Sequence, residues 1–175
     1  MTLAEFFHNK WSLGIVAELY RDRGAKFVTL CRRLGAPAGS MKLNLELLIG
    51  AGFVMRNPGY GHPLRPEYIL TSLGLRVGMF AQALFDLLPQ RALGEIKWCL
   101  PCVAVLDESA RFGEVRNALP GITDRALSKA LKVLEEAGAI AREVEPSYPP
   151  RVFYQVKNAE LASAVREFES ALQQI

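Results

Sequence analysis

The sequence predicts a mainly helical protein with small β-wings, organised as two consecutive copies of one unit. Three observations predict it. The chain repeats itself at a spacing of 85 to 87 residues, each copy carries helix-period apolar positions in three successive segments, and each third segment is followed by a short hairpin pattern.

The repeat comes first because it sets the frame. Lys10-Trp11-Ser12-Leu13 recurs as Lys97-Trp98-Cys99-Leu100, and Val16-Ala17 with Leu19 recurs as Val103-Ala104 with Leu106, all 87 residues on. Phe27 and Leu34 recur as Phe112 and Leu119, 85 residues on. Leu45, Leu48, Ala51, Gly52, Arg56, Pro63, Arg65 and Tyr68 recur 86 residues on as Leu131, Leu134, Ala137, Gly138, Arg142, Pro149, Arg151 and Tyr154. Both tryptophans of the chain fall in the match, and the offset changes only at turns, where insertions are tolerated. A period this long marks a duplicated domain and not a solenoid. The expected units are residues 1–88 and 89–175, packed together as a pseudo-dimer because little chain separates them.

The second unit reads clearly. Glu95 to Leu106 is an apolar helix offering Trp98 and Val105 to a core, although Pro101 falls inside it. Asp107 to Ala110 is a turn. Phe112 to Leu119 is a short helix with Phe112, Val115 and Leu119 on one face, and Pro120-Gly121-Ile122 is a tight turn. Thr123 caps a third helix, 124–137, that buries Leu127, Leu131 and Leu134 and stops at Gly138. Ile140–Val144 and Val152–Val156 are strands joined by a Pro-rich tip, and Ala159–Ile175 is a closing helix. This order is a winged helix-turn-helix. The first unit follows it: a short opening helix within Met1–Lys10, helices Trp11–Tyr20, Val28–Leu34 and 40–49, strands near Phe53–Arg56 and Tyr68–Thr71, and a helix Leu75–Leu88 ended by Pro89. Trp11, Phe27, Trp98 and Phe112 are expected in the cores.

Composition narrows the function. Net charge is +3 with a pI near 8.8, which permits a nucleic-acid partner. Residues 1–88 hold ten Lys and Arg against six Asp and Glu; residues 89–175 hold eleven against twelve, so the positive surplus lies in the first unit. No secretory signal and no run of about 18 apolar residues is present, so a cytoplasmic protein with no membrane partner is expected.

The second unit resembles the HxlR family of bacterial winged-helix regulators. The resemblance rests on Lys97-Trp98, Arg111-Phe112, Leu119-Pro120-Gly121-Ile122, the spaced Leu127, Leu131 and Leu134, Gly138, and Pro149-Pro150-Arg151-Val152 with Tyr154. The first unit resembles the same family through Lys10-Trp11, Phe27, Leu34, Gly52, Arg65 and Tyr68. Family members are usually homodimers that place two DNA-reading helices together, so two units in one chain imply a covalent version of that dimer. Redox-sensing members carry a cysteine ahead of the Lys-Trp pair; here Cys99 and Cys102 follow it, and that role does not carry over.

An α-helix fits the major groove and presents donors to base edges. The 124–137 helix, opposite its leucines, carries Arg125, Lys129 and Lys132 with Ser128 beside them, and Thr123 stands at its N-terminus. At the matching positions the 40–49 helix has Gly39, Leu43 and Glu46; its polar candidates are Ser40, Lys42 and Asn44. Arg32, Arg33, Arg56 and Arg65 could hold phosphates, as could Arg151 on the second wing. Tyr60, His62 and Tyr148 at the wing tips are weaker candidates.

The isolated Cys99-Leu100-Pro101-Cys102 reads as core packing rather than a redox pair or half a zinc site, and Cys31, His8 and His62 have no ligand spacing. No nucleophile elbow or phosphate-binding loop is present, so neither an enzyme nor a cofactor is expected. The predicted function is a transcription regulator binding an asymmetric site on double-stranded DNA, with any effector undetermined. The competing reading is a tandem winged-helix module that binds protein.

Overall fold

The computed structural model describes residues 3–59, 66–88, 97–106 and 109–173. Tyr60, His62 and Arg65, named above, lie outside these residues. The chain divides into two compact units, Met1–Ala83 with Phe168–Ile175, and Leu84–Glu167.

In the first unit the helices are α1 (Leu3–His8), α2 (Ser12–Asp22), α3 (Phe27–Leu34), α4 (Ala38–Gly50) and α5 (Ser72–Leu87). The strands are β1 (Ala25–Lys26), β2 (Val54–Arg56) and β3 (Glu67–Leu70), in the order β1-β3-β2. The pairing is antiparallel, with Ala25 opposite Tyr68 and Arg56 opposite Tyr68 on the other side. The core holds Phe6, Ile15, Leu19, Leu30, Met41, Leu45, Leu48 and Phe53. Phe6 meets Phe53 and Phe168 edge-on, at 6.1 and 5.3 Å between ring centres.

The helix α5 starts at Ser72, three residues earlier than its apolar pattern suggests. The reason is Thr71, whose Oγ1 accepts from the Gly74 N–H at 3.0 Å while donating to the Gly52 carbonyl at 2.6 Å. Gly74 itself has no alternative. A Cβ there would stand 1.9 Å from the Phe53 carbonyl oxygen, so the helix lies directly on backbone.

The second unit contains α6 (Cys99–Val105), β4 (Ala110–Arg111), α7 (Phe112–Ala118), α8 (Asp124–Glu136), β5 (Ile140–Glu145) and β6 (Arg151–Val156). The chain's last helix, α9 (Ala159–Gln173), begins in this unit. Asn158 caps it, accepting from the N–H groups of Glu160 and Leu161 at 2.9 and 3.3 Å. The sheet order is β4-β6-β5, with Ala110 and Arg142 on either side of Tyr154. Leu100, Leu106, Val115, Leu127, Leu131, Leu134 and Ile140 are buried.

Four readings need correction. Each sheet has three strands, not two: β1 and β4 are two residues long and directly precede a helix, so no alternation announces them. The described part of the Glu95–Leu106 helix begins at Cys99, which puts Pro101 in the first turn, where a missing N–H breaks no helical bond. Trp98 is buried, but Trp11, Phe27 and Phe112 are only half-buried. Val105 is likewise half-buried, because the apolar helix α6 packs through Cys99, Leu100, Cys102 and Val103 instead.

The two third helices match in their bounds and in four of their buried positions. Both span 13 residues, Ala38–Gly50 and Asp124–Glu136, at a constant spacing of 86. Met41, Asn44, Leu45 and Leu48 are buried on one, and Leu127, Ala130, Leu131 and Leu134 at the matching places on the other, where Val133 is buried as well although its counterpart Leu47 is exposed. Each ends with an alanine, Ala51 or Ala137, followed by a glycine at positive φ, +77° at Gly52 and +70° at Gly138. The Lys-Trp pairs also match: the ammonium of Lys10 lies 4.8 Å from the Trp11 ring centre, and that of Lys97 lies 5.0 Å from the Trp98 ring centre.

Candidate nucleic-acid interface

The second unit builds a helix-turn-helix from α7 and α8. Pro120 and Gly121, the latter at φ +81°, turn the chain between them. Thr123 then caps α8, its Oγ1 accepting from the Ala126 N–H at 3.2 Å. An ion pair between Arg116 and Asp124, 3.1 Å apart, ties the end of the first helix to the start of the second. Leu127, Ala130, Leu131, Val133 and Leu134 anchor α8 inward. That leaves Arg125, Ser128, Lys129 and Lys132 exposed along its other side.

These cations are not equivalent. Arg125 and Lys129 make no ion pair or hydrogen bond among the described residues, so their donors are free for an outside acceptor. Lys132 lies 3.8 Å from Glu136 one turn on, and its charge is partly answered within the helix. Beside the tip of the wing, where Arg151 pairs with Glu145 across the hairpin, Arg151 is 4.0 Å from the Glu145 carboxylate and stays exposed. Tyr148 at the tip is fully exposed. Arg111 is held by Glu114, which accepts from its N–H at 2.7 Å and from its guanidinium at 2.8 Å. Hydrogen bonding to that guanidinium keeps the Glu114 carboxyl below its ordinary value.

The first unit presents a different surface. Asn44, expected to face outward as a base reader, is buried. Its Oδ1 accepts from the Ser12 hydroxyl at 3.3 Å, and its side-chain amide donates to the Ser40 carbonyl at 2.8 Å. The physical reason is register, since Asn44 stands where Ala130 stands on α8, on the inward stripe. Ser40 is half-buried beside it. Lys42 is exposed and 3.9 Å from Glu46. The outward apolar residues in the middle of α4 are Leu43, 62% exposed, and Leu47, 50% exposed. The arginines divide as well. Arg33 is paired with Glu18, at 3.2 Å, and with Asp22, so its charge is partly answered within the unit. Arg32 and Arg56 are exposed and make no ion pair among the described residues.

Both thiols of the Cys99–Cys102 pair are buried, and burial pushes each up to about 12 from an ordinary 9.0. Among the described residues no group of three or more His, Cys, Asp and Glu side chains forms a metal-binding arrangement. No helix among them is long and apolar enough to cross a membrane.

The chain is similar to helix-turn-helix transcriptional regulators. It is 44% identical over 66 residues to one from Methanothermobacter thermautotrophicus, an alignment covering 36% of this chain and 50% of that protein. It is 42% identical over 52 residues to the regulator YvaP of Bacillus subtilis, covering 30% of this chain and 48% of that protein. The chain thus spans about half the length of the curated relatives it matches. Among solved structures, the reduced form of the B. subtilis regulator YodB aligns at 26% identity and a TM-score of 0.42, covering 54% of this chain and 90% of that one. The model of one family, the HxlR-like helix-turn-helix, matches residues 93–174.

Proposed function

We propose that this chain is a DNA-binding transcription regulator whose two winged-helix units, arisen by duplication, both engage one duplex as a pseudo-dimer. Its role is binding and not catalysis. The observation that carries the reading is the outward pair Arg125 and Lys129 on α8, unpartnered among the described residues and one turn apart on the third helix of a helix-turn-helix. Arg forms a bidentate contact to guanine in the major groove, and the exposed Ser128 between them adds a short donor and acceptor. The free N–H groups at the Thr123 end suit a phosphate. The similarity of residues 93–174 to the HxlR-like family supports the same reading.

The site it binds is asymmetric. Identical subunits impose a palindrome, whereas here α4 offers Gly39, Leu43 and Glu46 where α8 offers Arg125, Lys129 and Lys132. The first unit contributes phosphate contacts through Arg32 and Arg56. Titration of random duplex DNA at several salt concentrations tests the reading, since each neutralised phosphate steepens the salt dependence. A steep slope, followed by selection of a non-palindromic consensus from a random library, is the expected result. Binding that is salt-independent or absent would refute it. The exposed Leu43 and Leu47 favour a second reading, a protein-binding module, for which no salt slope is expected.

A further inference from the structure

The first unit's third helix has lost its cationic stripe, and what replaces it is apolar. Leu43 occupies on α4 the place of Lys129 on α8, because the two helices share bounds, four buried positions and C-terminal glycines at a constant spacing of 86. Of the polar side chains on α4 that could read bases, one is withdrawn into the core and another is partly answered by a carboxylate one turn on. Asn44 is bonded inward to Ser12 and Ser40, and Lys42 pairs with Glu46. Gly39, at the place of Arg125, carries no side chain, and a Cβ there would meet nothing within 4 Å. The first turn of α4 is therefore slim on its outer side and admits close approach to a groove wall.

Leu43 has no duty in the core, being 62% exposed. Only one feature of the major groove is apolar, the C5-methyl of thymine. The surrounding charge suits a duplex: Arg32 and Arg56 are exposed cations of the same unit with no ion pair among the described residues. Resting on the DNA-binding reading above, we infer that Leu43 is the base-reading residue of the first unit and that it recognises thymine through the C5-methyl. The half-site facing α4 then carries one or two required thymines, while the half-site facing α8 is read by hydrogen bonds from Arg125 and Lys129.

Thymine-to-uracil exchange tests this directly, because it deletes the methyl and leaves every hydrogen-bonding group in place. A duplex selected by the intact chain is remade with each thymine in turn replaced by deoxyuridine. At one or two positions of one half-site the expected loss is about fourfold in affinity, the worth of burying a single methyl-sized group. The variant Leu43→Ala should bind the thymine and uracil duplexes equally. Ile49→Ala, which removes exposed apolar surface elsewhere on the same helix, should keep the fourfold preference. Full affinity at every uracil position, with the selected duplex still bound tightly, would overturn the thymine contact and leave the regulator reading standing. Failure of the intact chain to bind any duplex would overturn both. If Leu43→Ala kept its thymine preference but lost self-association by light scattering, the leucine would belong to a protein interface.

Discussion

The Ser12 hydroxyl donates to Asn44 Oδ1 at 3.3 Å in the interior of the first unit, and the same place in the second unit is held by the Cys99 thiol, 4.0 Å from the Ala130 carbonyl. A polar pair in one unit thus matches a nearly apolar pair in the other. Removing one polar partner strands the other, whereas removing both is far milder. Asn44→Ala should therefore lower stability by about 1–3 kcal/mol, while Ser12→Cys with Asn44→Ala should recover part of that loss. Urea denaturation of the three proteins checks this. Equal destabilisation by the single and double changes would show that the pair is not coupled.

The arginines should separate specificity from general affinity. Arg125→Ala is expected to weaken binding to a selected duplex by about 1–3 kcal/mol more than binding to random duplex. Arg32→Ala should weaken both alike and flatten the salt slope by about one contact. Titration of both variants against both duplexes at several salt concentrations gives the answer. A selected-to-random ratio unchanged in Arg125→Ala would remove this residue from base reading.

Thr123→Ala should reduce stability by about 1 kcal/mol, because the Ala126 N–H loses its acceptor at the start of α8. Thr123→Ser keeps the oxygen and should cost much less. Thermal melts read by circular dichroism distinguish the two, and identical melting temperatures would mean that the cap contributes nothing.

The buried thiols set a pH dependence. Cys99 and Cys102 ionise at about 12 when folded, against an ordinary 9.0, because burial disfavours the thiolate. The unfolded chain therefore gives up these protons first as pH rises. Stability is intact below about 9 and declines between about 9 and about 12. With a thiol reagent at pH 8 the native protein should label at the half-buried Cys31 well before Cys99 or Cys102, and all three should label in denaturant. Rapid native labelling of Cys99 would contradict the burial argument.

Much of the fold was legible in the sequence because its signals are local. The spaced leucines of α8, its Thr123 cap and its terminal glycine each act within a few residues of themselves, and they located the helix to within one residue at its C-terminal end. The strands β1 and β4 were not legible, since two residues cannot display a period and their pairing with Tyr68 and Tyr154 is long-range. The aromatic residues were misjudged for a related reason. Phe27 and Phe112 open their helices beside a strand, and helical spacing does not reveal how much of a ring its neighbours cover. Among the candidate contacts, Asn44 misled through its chemistry. An amide suits adenine, but position on the helix decides which way it points, and a comparison with Ala130 on the matching helix carried that information from the start.

The match between α4 and α8 also bears on how such a chain can change over generations. The three positions that carry the stripe on α8, where Gly39 corresponds to Arg125, Leu43 to Lys129 and Glu46 to Lys132 in the match, lie on the exposed side of both helices. Substitutions there escape the selection that preserves folding. Either helix can therefore change what it presents to solvent without disturbing its unit's interior, and a laboratory could write the cationic stripe onto α4 by three exchanges without redesigning the core.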